Sequence, residues 1–583
     1  MNDYLCMRHL EAVEQESEEI EHIIQYEKRP GLERPHPRET RVTTMAISSQ
    51  PPPDSSQASI GRARMNRNVQ PFPASMLDHC TVCLEEQLFS QAIALLSSGL
   101  TSGTCTSRPS QVPPIPHLAL LATVAVHPSL TTRTADPTKP QAADDALRYL
   151  RHVSRLLSPR AAGLDKAFHF TAGSDRNDRS KRAKDRKSET AEVLPIDDAN
   201  TIRSRYVDQE SIWSNADDFW SVVGWAFNCS VKYKHRWQRW RAWLECMLEV
   251  LEADLHERTV DGTVTDSLLA QYLLPIGQGR NSKRRLMRAI LANGSTKSLA
   301  EFNEIWRNET RLAKTTTQTA NKKRKLDLDN DEFGDYFDES DEDSPATTAR
   351  RSRSATAFSS RKASRQPSGD EDEGSEDEST VFDNSGMLGV EAFSGIDSIA
   401  LRQRIVALLV RFCSTAPQLL LDVEDLFDLY TEFIRPLRLA AFEQFVVPMR
   451  AYLSIDSQCS LIQMLLRPLL TSSAPTYDAN ALTQADFECC YAPFTASTTS
   501  AVDNAKVSLL IEGLMRLLWR TGNLQITPRL RKLMGAGIED RQARVEFDGR
   551  RKTGLKAMED EEAVLAMQAS GERLRSVLDL CAT

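Results

Sequence analysis

Cys80 and Cys83, in the stretch DHCTVCLEEQ (Asp78 to Gln87), have the two-residue gap that lets two thiolates reach one zinc ion. A structural zinc site needs four ligands, usually supplied as two such pairs. After Cys83 the next cysteine is Cys105 and then comes His117; no second Cys-x-x-Cys follows. Leu77, Cys80, Leu84, Leu88, Ala92 and Leu95 are spaced 3, 4, 4, 4 and 3, which is the α-helical period. One helix is therefore expected to run straight through the motif. It would bury Cys80 and turn Glu85 and Glu86 to water, so the expectation is a core cysteine and no metal site.

The second cluster is KYKHRWQRWRAW, Lys232 to Trp243. Trp237, Trp240 and Trp243 could stack on bases while Arg239 and Arg241 contact phosphates. The same five residues could dock a protein partner, because Trp and Arg are favoured at interface hot spots. Against these stands an amphipathic helix with its tryptophans in the core and its arginines in water. The stripe Trp237, Trp240, Leu244, Met247, Leu251, Leu255 continues at steps of 3, 4, 3, 4 and 4. Residues 201–313 hold 16 Lys/Arg against 14 Asp/Glu, too balanced for an electrostatic nucleic-acid footprint.

Phosphate-loop and catalytic patterns fare less well. PIGQGRNSKRR (Pro275 to Arg285) lacks the G-x-x-x-x-G-K-[ST] order, and GAGIED at Gly535 lacks it too. The first reads as a turn into a basic helix. There is no G-x-S-x-G and no H-E-x-x-H. A non-enzyme without a cofactor is expected.

Short basic runs in polar linkers have the character of nuclear-import signals. Lys322, Lys323, Arg324 and Lys325 form one, and Lys181 and Arg182 begin another that extends to Lys187. Ser340, Ser368 and Ser375 precede acidic residues, whereas Ser352 and Ser364 follow basic ones. These serines suit acidophilic and basophilic kinases respectively, and each phosphate would add up to about two negative charges.

The elements that must carry these residues follow from composition and period. The chain has 583 residues, 40% of them apolar, with 27 prolines, 11 cysteines and a net charge of −9. Eleven cysteines at this length, with Cys229, Cys246, Cys413 and Cys459 inside apolar helical patterns, read as reduced core thiols. No run approaches the ~18 apolar residues of a membrane span. Residues 1–28 read as a charged N-terminal helix and 29–73 as disordered. Residues 74–157 form a first helical block, 158–200 a basic polar linker, and 201–313 a Trp-rich second block. Within that second block, helices are expected near 268–274, 283–291 and 299–312. Residues 314–394, with runs such as NKKRKLD and SGDEDEGSEDES, cannot bury enough apolar area to offset their ordering entropy. They read as an exposed, phosphorylatable insertion. Residues 395–530 form a third helical block, and 531–583 a charged tail with a helix.

The fold class expected is all-α: an irregular helical repeat or solenoid-like array of α-hairpins with long disordered linkers. The function expected is that of a non-catalytic nuclear scaffold or adaptor whose partners are other proteins of a larger, chromatin-linked assembly, with no membrane contact. The alternatives are a nucleic-acid-associated factor using the basic linkers and helix 232–243, and a zinc-dependent, E3-like protein built on Cys80 and Cys83.

Overall fold

Cys80, Cys83 and Leu84 give the first helix, α1 (Ala74–Glu85), its buried side. The helix does not run on as the apolar spacing suggests. The amide of Leu88 donates to the carbonyl of Cys83 at 2.7 Å and that of Gln87 to Leu84 at 3.3 Å, with Gln87 at φ 59°. This paired closure stops a helix and normally uses glycine at the left-handed position. Holding glutamine there costs on the order of 1 kcal/mol. In exchange a second helix, α2 (Phe89–Thr101), folds back and buries Phe89, Ala92, Ile93 and Leu96. A helix does pass through Cys80 and Cys83 and buries both, but the single helix expected to continue to Leu95 is corrected to a hairpin of two.

The structure is a computed structural model that describes residues 68–101, 109–170, 201–277, 279–312, 393–446, 452–475, 482–545 and 555–580. A short parallel pair, β1 (Val69–Pro71) with β2 (Ser110–Val112), precedes α3 (Ile115–Val124). Then follow α4 (Thr138–Leu156), α5 (Leu164–Ala167) and α6 (Ile212–Asn215). Helix α7 (Phe219–Lys232) is capped by Asp218, whose carboxylate accepts the Ser221 amide at 2.6 Å. Helix α8 (Lys234–Asp261) ends at Gly262 in the left-handed region, φ 71°.

Helices α9 (Leu268–Leu273), α10 (Arg280–Ile290) and α11 (Thr296–Glu301) complete this part. The helix expected over 299–312 is absent: α11 stops at Glu301 and the chain turns irregularly to Leu312. Phe302, Trp306 and Glu309 of that stretch are all buried. Phe302 lies so close to Gly224 of α7 that a Cβ there would meet its ring at 2.3 Å.

Beyond the insertion come α12 (Ile396–Thr415), α13 (Val423–Ile434), α14 (Leu439–Val446), α15 (Ile455–Leu466), α16 (Gln484–Cys490), α17 (Ala501–Arg520), α18 (Pro528–Ala543) and α19 (Leu555–Leu580). Helix α19 is more than a tail. Small residues let it lie along α17: Ala501, Ala505 and Leu509 share a buried cluster with Ala563 and Met567. Ser508 and Ser570 meet at 3.1 Å, and Arg573 pairs with Glu512 at 2.7 Å.

The described residues are overwhelmingly helical, so the all-α class holds. Among the described residues the main hydrophobic core runs from Phe72 to Leu578, with the smaller cluster between α17 and α19 beside it. Across the insertion it is stitched by Arg404 to Glu252 (2.6 Å) and by the buried Arg402, which donates to the Ile290 carbonyl at 2.6 Å. Among the described residues no helix is long and apolar enough to cross a membrane.

Candidate functional site

The Trp/Arg stretch occupies the first turns of α8, and the helix sorts its residues by depth. Trp240 and Trp243 are fully buried and Trp237 nearly so. The Trp240 indole donates to Glu309 Oε1 at 2.7 Å and the Trp243 indole to the Ala122 carbonyl at 3.1 Å. The three rings are placed as the amphipathic-helix reading expects, and their burial argues against the docking alternative for Trp237, Trp240 and Trp243. Arg239 pairs with Asp144, and Arg241 pairs with Glu245 (3.0 Å) and Asp397 (2.6 Å), both at the surface.

Beneath them lies a feature that periodicity did not mark. Arg236 is fully buried, and its guanidinium makes five hydrogen bonds: Nε and Nη2 to Glu309 Oε1 (2.8 and 2.6 Å), Nη2 to the Val126 carbonyl (2.8 Å), and Nη1 to the hydroxyls of Thr131 (2.9 Å) and Thr132 (3.3 Å). A guanidinium has five N–H groups, so its donor capacity is used in full. Trp306 stacks on Trp240 with centroids 5.9 Å apart, and its indole donates to the Glu210 carbonyl at 3.0 Å.

His127 sits edge-on to both Tyr206 (4.9 Å) and Trp306 (4.8 Å). Its Nδ1 accepts the Ser129 amide at 3.3 Å, so the neutral ring carries its proton on Nε2, which faces Glu210 Oε2 at 3.4 Å. Burial, reinforced by Arg236, Arg205 and Arg133, pushes its pKa down to about 3. The cluster ties three separate segments together: residues 126–132, helix α8 and the stretch 306–309.

At the surface end of the same helix, adjacent residues hold the two ends of the insertion. His235 Nε2 meets the Thr310 carbonyl at 3.1 Å, and Lys234 Nζ donates to Ser394 Oγ at 2.5 Å. The import candidates Lys322, Lys323, Arg324 and Lys325 and the serines Ser340, Ser352, Ser364, Ser368 and Ser375 belong to the segment between these anchors. They lie outside the described residues, as do Lys181 and Arg182.

Cys80 and Cys83 are both buried and point to different neighbours: Cys80 Sγ toward the Ala92 carbonyl and Cys83 Sγ toward His79 Nε2, each at 3.9 Å. Burial, with the Cys83 thiol beside it, pushes the Cys80 pKa up to about 11, so it is a protonated thiol at neutral pH. Among the described residues no group of three or more His, Cys, Asp or Glu side chains is arranged to hold a metal ion. The glycine-containing turn at Gly277 and Gly279 leads into α10, whose Arg285 and Arg288 pair with Asp218 and Glu301 at 2.8 Å.

No family model, curated protein or solved structure matches the chain. Sequence reading missed Trp306 and Glu309 because neither continues a helical stripe. The one available signal was an apolar residue and an acid in a stretch with few other anchors.

Proposed function

We propose that the chain is a non-catalytic nuclear scaffold: a solenoid-like array of α-hairpins that displays a long, modifiable segment and acts through protein–protein contacts in a larger assembly. One observation carries this reading. The two ends of residues 313–392 are fastened to adjacent residues, Lys234 and His235, while the core continues beneath them from α8 to α12. Anchors this close together make the segment an insertion into one frame, and its sequence carries the basic run 322–325 and the acidic serines that other proteins would read. Its polarity leaves it little to bury. The burial of Trp237, Trp240 and Trp243 takes base stacking away from the nucleic-acid reading and leaves that reading only the basic linkers.

Two measurements test the proposal. A fluorescent fusion lacking 322–325 and 181–187 should lose nuclear accumulation; import equal to wild type would overturn the compartment. Purification of the full chain from nuclear extract should recover a reproducible set of proteins that survives nuclease treatment. Loss of that set with nuclease, together with a gel shift that weakens steeply with salt, would favour the nucleic-acid reading instead.

A further inference from the structure

The surface around the insertion's anchors is basic, and its cations are not matched by acids among the described residues. Lys232 and Lys234 flank the start of α8, Arg311 follows Thr310, and Arg133 Nη1 donates to the Arg307 carbonyl at 3.3 Å. All five cations are exposed. None of them has a carboxylate partner among the described residues. The nearby acids are engaged elsewhere: Asp144 with Arg239, Asp397 with Arg241, Glu309 with Arg236, and Glu304 accepting from Thr310. Helix α8 has no acid in its first turn, and α7 ends directly before it at Lys232 with Tyr233 shared between them, so the two helix ends offset each other and the positive field there is that of the side chains.

We propose that this basic collar is the docking surface for the chain's own acidic run, Asp327 to Asp343. That run holds ten Asp/Glu and no Lys or Arg, with Phe333, Tyr336 and Phe337 among them. Rings within an acidic strand suit a surface of Arg and Lys, which attract both carboxylates and aromatic faces. The run begins 15 residues after Leu312. An extended chain of that length reaches ~50 Å, so every collar cation is within range. A short tether gives an effective concentration of about millimolar, which an external anion must exceed to compete. The proposal concerns occupancy of the collar and stands or falls separately from the scaffold reading.

Zero-length carbodiimide coupling on the full chain, read by mass spectrometry, tests it directly. At low salt, Lys232 and Lys234 should couple to carboxylates within 327–343. The yield should not change on tenfold dilution, and should fall about tenfold in 0.5 M salt, where screening is short-ranged. The triple variant Arg133→Glu, Arg307→Glu, Arg311→Glu keeps both lysines and should lower the same yield about tenfold with the far-UV spectrum unchanged. If that variant fails to fold, the salt arm on wild type decides. The proposal is overturned if the two lysines couple only to carboxylates elsewhere, such as 370–378, or if the run couples equally to Lys532. A concentration-dependent yield would also overturn it, by assigning the contact to a second copy. So would a collar that binds duplex DNA while giving no intrachain coupling.

Discussion

Glu309 shows how much one side chain can hold. Its Oε1 accepts from Arg236 twice and from Trp240, and neither partner of the ion pair touches water. Removing one member of such a pair strands the other as a buried charge, at a cost of about 3–5 kcal/mol. Glu309→Ala should therefore lower the denaturation midpoint sharply. Arg404→Ala, which breaks the partly exposed pair with Glu252, should cost under about 1 kcal/mol in the same experiment. A second prediction concerns pH. Burial lowers His117 to about 4 and His127 to about 3, both below the ordinary 6.5. The unfolded chain binds these protons first, so their contribution is complete above pH 6.5 and declines as pH falls toward 4 and then 3. Stability measured by denaturant should be level from pH 8 to 6.5 and then slope downward before carboxylates begin to titrate. His127→Gln should reduce the slope between pH 6.5 and 5. The tryptophan stripe of α8 was legible because its period repeats. Glu309 was not, because its partner lies 73 positions away and nothing local marks the pair.

At the level of elements, two glycines of α18 separate packing from propensity. A Cβ on Gly537 would meet the Ala492 carbonyl oxygen at 2.1 Å, whereas one on Gly535 meets nothing within 4 Å. Gly537→Ala should push α18 off the chain around Ala492 and destabilise by about 1–3 kcal/mol. Gly535→Ala should stabilise by up to about 1 kcal/mol through helix propensity alone. Opposite shifts in thermal midpoint are the expected result, and a loss in both variants would remove the close-approach argument. Helix α8 was legible from its 3.6-residue stripe, and α12, α13 and α17 fall inside the third helical block expected over 395–530. The break between α1 and α2 was not, because Gln87 stands where a glycine usually announces the turn. The stretch after α11 lies within the helix expected over 299–312, yet Phe302 and Trp306 are buried without one, by docking against Gly224 of α7 and Trp240 of α8.

On the scale of the molecule, the described core joins directly across the insertion. Thr310 and Ser394 rest on neighbouring residues of α8. Replacing 314–390 by about ten Gly/Ser residues shortens a loop whose closure entropy changes only slowly with length. The variant should keep its helical spectrum, and its midpoint should move by no more than a few degrees. Aggregation or loss of cooperative melting would mean that the segment contributes to the core. Composition made this segment legible as separate from the helical blocks. The unity of the core on either side was not legible, because contacts such as Arg404 with Glu252 join residues 152 positions apart.

The tie between Arg236, Glu309 and residues 126–132 also sets a timetable. The chain is made from its N-terminus, so Val126 and Thr131 leave the ribosome long before Glu309 does. About 180 residues separate them, which at ordinary synthesis rates is on the order of 10–40 s. Throughout that interval the first helices have apolar faces and carbonyls whose partners do not yet exist. A nascent chain stalled just before Glu309 should remain bound to chaperones, and one stalled some 40 residues after it, with the acid outside the exit tunnel, should let them go.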